Sequence, residues 1–398
     1  MKKIFLTTIA LLSIASASVF GMYGVNSGDW IFFLTHGNQF RARMQQLGFT
    51  LGNDTIKGTF GFFNNGRGAY GSMLSQSTAA GEAGTGLYYD FTPTISMGLA
   101  YTSSLISVGV GYNATIGPRL DRYNNKTEPK KVEAVVHTPV LVLNALDNAL
   151  RIAIPIQVVN LTDKFDGVGK GSVTAVSLDA QFRYFTGLDF LPQIRLLIKY
   201  GNYGMQLSLE GGQKEKVTFA ESFGFEFRLY FGAMVEEVAL QPYIKLVYNG
   251  ALGKQHSKRS VTALDALNDS ASFMGQITSL FANPNTATQP TTSYGGNAAW
   301  KKSAWDLTLA PTLGITANSD IVSLYVEPSL GLQIIQEGSP TDNKVKELYN
   351  LYWGAYAEIY ITPLKNLEWY FEADVSRDTV APVKLAASTG ITWYLPAL

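Results

Sequence analysis

Apolar and polar residues alternate along most of the chain, most regularly in its C-terminal third. Between Trp353 and Thr362, every odd position is Trp, Ala or Ile, and every even position is Gly, Tyr, Glu or Thr. The same period of two recurs between Leu367 and Ser376 and between Lys384 and Leu395. Side chains of an extended strand point alternately to two faces. Alternation sustained over such lengths therefore predicts amphipathic β-strands.

This pattern runs backwards through the chain and predicts about 16 strands, within a range of about 14 to 18. The predicted strands are 30–36, 40–51, 55–63, 86–101, 104–113, 132–143, 149–159, 173–186, 192–209, 217–231, 238–249, 303–316, 321–336, 350–362, 366–376 and 384–395. Several run about 10 residues or more, which meets the roughly 9–11 residues of a tilted membrane strand, whereas soluble strands are commonly about five or six residues long. A hairpin turn at Gly201-Asn202 would change this count and its parity.

The predicted connections mostly alternate between short and long. The long ones are 64–85, 114–131, 160–172, 250–302 and 337–349. Short periplasmic turns and long outer loops are typical of outer-membrane barrels. The sequence therefore predicts an all-β fold, a transmembrane antiparallel up-and-down β-barrel with long outer loops. A β-sandwich shows the same alternation with its apolar face inward, and it remains the alternative.

The longest connection, 250–302, carries apolar residues at helical spacing from Val261 to Leu280. This spacing predicts one short helix, and Ser260 is a suitable N-cap. The insert could fold into the pore and narrow it, or it could cover the outer surface. The pattern leaves both arrangements open.

The N-terminus has the order of features found in a secretory signal peptide. Lys2 and Lys3 precede an apolar run that ends near Ala17, and this run is shorter than the roughly 20 residues of a membrane-spanning helix. Small residues allow cleavage after residue 17 or after residue 21. We therefore expect a signal peptide at 1–21 and a barrel at 22–398, with 250–302 as its long insert.

Composition argues against several classes of function. Lys+Arg and Asp+Glu are both 31, so the chain lacks the basic excess of nucleic-acid-binding proteins. Cysteine is absent and the three histidines have no metal-like spacing, so we predict no catalytic residue, no metal and no cofactor. The chain is expected not to be an enzyme, although a Ser-His pair assembled in space would make an outer-membrane enzyme the remaining alternative.

Alternation also assigns charged side chains to the inner face of the predicted barrel. A basic set comes from the middle strands: Arg151, Arg183, Arg195, Lys199, Arg228 and Lys245. An acidic set comes from the last strands: Asp306, Glu327, Glu358, Glu368, Glu372 and Asp374. Strands that are neighbours in sequence are neighbours around an up-and-down barrel. We therefore expect a basic wall facing an acidic wall, with Asp179 and Glu226 as exceptions.

The segment from Asp29 to Phe62, DWIFFLTHGNQFRARMQQLGFTLGNDTIKGTFGF, resembles the variable surface proteins of the intestinal spirochaete Brachyspira. The lysine-initiated signal and Met22-Tyr23-Gly24 are similar too. The resemblance is strong over about the first 60 residues and looser beyond. It implies an abundant, antigenically variable surface protein of the outer membrane, and it supplies no catalytic residues.

The expected function is that of a surface-exposed outer-membrane barrel that passes small hydrophilic solutes, as a porin does. Its expected partners are outer-membrane lipid and those solutes, with no nucleic acid, and the sequence leaves a homo-oligomer open. The alternative is a structural or adhesive surface antigen with a plugged, non-conducting lumen. Charged pore walls set selectivity, so the twelve inward charges would matter only in the first case.

Overall fold

The structure of the protein is a computed structural model. It describes residues 23–43, 46–64, 76–77, 88–89, 93–122, 130–165, 169–209, 214–235, 238–252, 258–263, 301–339, 341–377 and 383–395. The signal-peptide prediction at 1–21 and most of the predicted helix in the insert lie outside these residues.

The chain forms one closed antiparallel barrel of 16 strands. The strands are β1 (Gln39–Arg43), β2 (Gln46–Gly52), β3 (Ile56–Asn64), β4 (Pro93–Tyr101), β5 (Ile106–Arg122), β6 (Lys130–Ala145), β7 (Leu150–Phe165), β8 (Gly169–Phe185), β9 (Gln193–Leu209), β10 (Lys214–Tyr230), β11 (Val238–Ala251), β12 (Trp305–Asn318), β13 (Val322–Gln336), β14 (Glu347–Leu364), β15 (Leu367–Ser376) and β16 (Lys384–Leu395). Each strand pairs with the next, and β1 closes the barrel on β16. A short strand, Ala233–Val235, also pairs with the first residues of β11 and is not counted among the sixteen. The predicted fold class and strand number are confirmed.

Both ends of the barrel and several of the short turns lie at the same rim. Turns 53–55, 319–321 and 365–366 belong to this rim, and Phe40 near the start of β1 pairs there with Leu395 at the end of β16. The long insert between β11 and β12 leaves from the opposite rim. The two ends share a rim because an even number of antiparallel strands returns the chain to its starting side.

The barrel presents apolar side chains outward and polar side chains inward. Leu99 and Val110 are cross-strand neighbours on the outer face, and they are 60% and 58% exposed. Ser96 and Asn113 form the corresponding inner pair and are fully buried. A soluble protein places its apolar face against another element of its own core. Here a single closed sheet leaves that face uncovered, as expected for contact with lipid.

Two predicted strands at the N-terminal end are wrong. Residues 30–36 form no strand; they follow from the short helix α1 (Ser27–Trp30) and continue in turns inside the barrel. The predicted strand 40–51 is a hairpin of two strands, β1 and β2, in which Arg43 pairs with Gln46. The prediction counted 30–36 as a strand that does not exist and counted β1 and β2 as one strand. The two errors cancel, so the predicted total agrees with the structure.

Strand boundaries around the loops also differ from the prediction. The predicted strand 86–101 begins only at Pro93, and Tyr88–Tyr89 instead pairs with Gln76–Ser77 in a separate two-stranded ribbon. Proline cannot donate a backbone hydrogen bond and is typical of a strand start. The predicted loops 114–131 and 160–172 are mostly strand, because β5 and β7 continue to Arg122 and Phe165.

Gly201-Asn202 is not a hairpin turn. The strand β9 passes through it, and its pairing with β8 is continuous from Gln193 to Leu209. A Cβ at Gly201 would overlap the backbone carbonyl of Val261, which belongs to the long insert. Glycine is therefore explained here by close approach of another backbone rather than by a turn.

Candidate functional site

The N-terminal residues 23–38, here called the inner plug, pack inside the barrel rather than in its wall. Tyr23 and the run from Trp30 to Leu34 are all at most 3% exposed. They form one apolar cluster with four inward-facing wall residues: Ala100, Val140, Val142 and Ala153. A continuous apolar run suits this position, because the plug is surrounded by the wall and by its own residues.

Glycines in the wall make room for the plug. A Cβ at Gly111 would overlap the indole ring of Trp30, and one at Gly98 would lie 3.0 Å from Trp30 Cζ3. One at Gly109 would lie 3.1 Å from Leu34 Cδ2. These glycines on β4 and β5 form a shallow surface that admits large side chains, since glycine lets another group approach the backbone closely.

Polar contacts fix the start of the plug at mid-height in the barrel. Gly24 O accepts hydrogen bonds from Trp30 Nε1 at 2.7 Å and from Asn113 Nδ2 at 2.5 Å. The backbone N and the hydroxyl of Ser27 both donate to Asp179 Oδ2, at 3.1 and 3.0 Å. Asp179, an exception to the predicted charge pattern, thus anchors the plug to β8.

The other end of the plug is held by cations of the wall. Lys57 Nζ donates to Leu34 O at 2.8 Å and to His36 O at 2.7 Å. Arg151 Nη1 donates to Thr35 Oγ1 at 3.3 Å. Side chains of the wall therefore donate hydrogen bonds to backbone carbonyl groups at the end of the plug, as buried polar groups require.

The beginning of the long insert also lies in the lumen. Ala263 N donates to Ser177 Oγ at 2.9 Å, Lys258 Nζ donates to Tyr203 OH at 2.9 Å, and Val261 is 4% exposed. Arg259 forms ion pairs with Asp306 and Glu337 near the opposite rim. Of the two arrangements that the sequence left open, the described part of the insert adopts the inward one.

Five of the six predicted basic residues form one continuous cross-strand row on the inner face, here called the basic row. Its members, in order across β7 to β11, are Arg151, Arg183, Arg195, Arg228 and Lys245. Lys199 lies outside the row, on the same face and opposite Asp179. Its side chain is exposed although it faces inward, so water reaches the lumen at this height.

Aromatic rings cover the guanidinium faces of the basic row. Arg183 Cζ lies 4.6 Å from the Phe32 ring centre, and Arg195 Cζ lies 5.0 Å from that of Tyr230. Arg228 lies 5.3 Å from the Tyr243 ring centre and forms an ion pair with Glu226. Glu226, the second exception to the predicted charge pattern, is thus the acidic partner of one row member.

The acidic residues of β13 to β15 accept hydrogen bonds from tyrosines. Tyr243 and Tyr325 both donate to Glu327. Three further pairs have the same character: Tyr356 with Glu358, Tyr360 with Glu372, and Tyr394 with Glu368. Asp374 accepts from Ser376 Oγ at 3.3 Å and stays exposed on the inner face.

The basic and acidic groups occupy neighbouring arcs of the wall, not opposite walls. They span β7–β11 and β13–β15, and Tyr243 joins them by contacting both Arg228 and Glu327. Asp306 on the intervening β12 stands apart near the insert, where it accepts from Asn249 Nδ2 at 3.0 Å. The expectation of a basic wall facing an acidic wall is therefore wrong. The charged residues form one continuous arc that is basic on β7–β11 and acidic on β13–β15.

Family comparison adds to this geometry. A model of the family described as "Serpulina hyodysenteriae variable surface protein" matches residues 2–394, nearly the whole chain. The chain belongs to this variable surface protein family. The resemblance first recognised near the N-terminus therefore extends over the barrel as well. Together with a closed barrel whose exterior is apolar, it supports placement of this variable surface protein in the outer membrane.

Comparison with solved structures gives the β-domain of the Bordetella autotransporter Brka. It is 10% identical over 71% of this chain and 97% of that chain, with a TM-score of 0.28. No curated protein matches this variable surface protein.

Sequence reasoning missed two inward cations of this variable surface protein, Arg41 and Arg43 on β1. Arg43 Nη1 lies 4.0 Å from Glu372 Oε1 and its guanidinium stacks on Tyr370, while Arg41 stacks on Tyr394. Merging β1 and β2 into one strand concealed both. The alternation Gln39, Arg41, Arg43 was the available signal.

Within the ranges described above, no helix is long and apolar enough to cross a membrane. The same residues contain no group of three or more His, Cys, Asp or Glu side chains placed to hold a metal ion.

Proposed function

We propose that this variable surface protein is a surface-exposed outer-membrane channel for small hydrophilic solutes. The observation that carries the proposal is the charged inner arc that remains open to water. Lys199 and Asp374 both face the lumen and are exposed, on strands away from β4 and β5, where the plug packs most closely. A wall of this kind suits a water-filled path beside the plug.

The charges along this path would set its selectivity, because rings and walls of charge do so in pores. The basic row places five cations on adjacent strands, and only Arg228 has a carboxylate in ion-pair contact among the described residues. We therefore expect the path to favour anions over cations on this side of the barrel.

Planar-bilayer recording of the folded protein tests the proposal. Steady, stepwise conductance is expected. In a salt gradient, the triple variant R183Q/R195Q/R228Q should shift the reversal potential toward the value expected of a cation-selective pore. K384Q, which removes one charge at the first residue of β16, should leave the reversal potential nearly unchanged. A correctly folded barrel without conductance would contradict passage, and an unchanged reversal potential in the triple variant would contradict the assigned selectivity.

The second candidate is a non-conducting structural or adhesive surface antigen. It is favoured by the two segments inside the lumen, the inner plug and residues 258–263 of the insert. Protease or antibody access to the long insert on intact cells tests surface exposure in either case. A silent barrel with an accessible insert would select the antigen.

A further inference from the structure

The basic row places five cations side by side, and among the described residues only Arg228 has a carboxylate, Glu226, in ion-pair contact. Residues directly opposite on neighbouring strands have Cβ atoms about 5 Å apart, and like charges in that position repel one another. The register creates this relationship between Arg183 and Arg151, and between Arg195 and both Arg183 and Arg228. Such an arrangement is unfavourable unless an anion joins it.

Hydrogen bonding leaves much of this donor capacity unused. Arg183 Nε donates to Gln181 Oε1 at 2.8 Å, and Arg195 Nη2 donates to Gln193 Oε1 at 3.2 Å, both neutral amide oxygens. Arg195 Nε is buried and has no hydrogen-bond partner among the described residues. Each guanidinium carries five N–H donors, so most donors of this pair remain available.

The aromatic neighbours direct the approach of a ligand. Phe32 and Tyr230 lie over the faces of Arg183 and Arg195, at 4.6 and 5.0 Å from ring centre to Cζ. The N–H donors lie in the guanidinium plane. An anion would therefore meet the two side chains at their edges, where a fork of parallel N–H groups matches phosphate or carboxylate oxygens.

We infer that Arg183 and Arg195, flanked by Arg151 and Arg228, form a binding site for an oxyanion with two or more negative charges. Two charged oxygen groups of one ligand would each engage one guanidinium. Diphosphates and small di- or tricarboxylates share this chemistry. The inference rests on the proposed function only in that the anion reaches the row through the lumen.

Calorimetric titration of the folded barrel in nonionic detergent tests the site. Inorganic pyrophosphate and citrate serve as the divalent-or-higher probes, acetate as the monovalent one, all at constant ionic strength. We expect saturable binding of one pyrophosphate or one citrate per chain and much weaker binding of acetate. The variant R183Q/R195Q should weaken binding about tenfold or more, because charge-assisted bidentate contacts are lost. K384Q should change it less than twofold.

Circular dichroism and heat-modifiable gel mobility establish that R183Q/R195Q is folded, and a second variant, R195K, keeps the charge but removes the fork. R195K should bind several-fold more weakly than the unmodified chain. Binding that is undetectable, or equally strong in R183Q/R195Q and the unmodified chain, would overturn the inference. Calorimetry does not require conductance, so the two proposals can fail separately. Binding by a barrel that does not conduct would contradict the channel proposal only. Conductance without binding would contradict the anion site only.

Discussion

Gly111 on β5 and Trp30 in the inner plug lie in direct contact, with no room between them for a β-carbon. A Cβ at Gly111 would fall inside van der Waals contact with three indole carbons. The indole is fully buried by this arrangement, and its Nε1 is held by Gly24 O at 2.7 Å. The fit makes the plug a specifically docked segment rather than a chain end that happens to lie in the lumen.

Gly111→Ala should therefore loosen the plug. Overpacking of this kind costs about 1–3 kcal/mol, and the plug can move more easily than the closed wall. We expect faster chymotrypsin cleavage after Phe32 and larger conductance. Gly58→Ala is the matched control, because the atom nearest to a Cβ at position 58, Gly98 O, would lie 3.9 Å from it. Equal cleavage rates in the two variants would show that the contact does not hold the plug.

The anchor at Asp179 should contribute more than either bond of Ser27 alone. Asp179→Ala removes the oxygen that accepts both hydrogen bonds, whereas Ser27→Ala keeps the bond donated by the backbone N. A hydrogen bond to a charged group contributes about 1.5–3 kcal/mol. Hydrogen exchange of the plug amides should accelerate about tenfold or more in Asp179→Ala and less in Ser27→Ala. If Ser27→Ala exchanges as fast as Asp179→Ala, the backbone bond has no role.

Two titratable groups make docking of the plug depend on pH in opposite senses. Burial lowers the pKa of His36 to about 3, with Arg41, Lys57 and Arg151 acting in the same direction. The ordinary value is about 6.5. Neutral His36 therefore stabilises the docked plug above pH 6.5, and this contribution is lost as the pH falls toward 3.

Asp29 acts the other way, because burial raises its pKa to about 6. Its contribution is complete below the ordinary value of about 3.9 and is lost as the pH rises through 6. In Asp29→Asn, the pH dependence of plug docking should therefore come from His36 alone. Acidification from pH 7 to 4.5 should then speed amide hydrogen exchange in the plug and raise the conductance. In the double variant Asp29→Asn/His36→Gln this response should disappear. A response that survives in the double variant would assign it to other groups.

The lipid-facing surface gives a prediction about stability. Leu141 is on the outer face of β6, 44% exposed, and Leu146 is in the following turn, 62% exposed. Leu141→Arg should cost about 2–4 kcal/mol of unfolding free energy in bilayers, and Leu146→Arg about 0–1 kcal/mol, because the penalty of a charge falls toward the interface. Urea unfolding in lipid vesicles measures both. Equal penalties would mean that Leu141 does not face acyl chains.

Alternation predicted the barrel well because its inner and outer faces differ chemically at nearly every strand. It failed at Trp30–Leu34, where an apolar run is buried on all sides and resembles a buried strand. It also merged β1 and β2. The inward positions there change from odd, at Arg41 and Arg43, to even, at Gly48 and Thr50, and this change of phase separates β1 from β2.

Sequence alternation assigns the residues of the basic row to one face, but it does not predict their arrangement. Alternation assigns Arg183 and Arg195 to one face, yet only strand register makes them direct neighbours. Register depends on turn lengths, and a shift of one residue reverses the faces. The plug contacts of Asp179 and Gly111 had no signal in the pattern, since both depend on a segment distant in sequence.

Tryptophan fluorescence in vesicles with brominated acyl chains tests most directly whether the apolar outer face contacts lipid. Trp369 and Trp393 face outward, 48% and 55% exposed, whereas Trp30 is fully buried in the lumen. In single-tryptophan variants, brominated lipid should strongly quench Trp369 and Trp393 and leave Trp30 nearly unaffected. Emission from Trp369 and Trp393 that is insensitive to bromine, in a protein that remains monomeric in buffer without detergent, would contradict the membrane barrel.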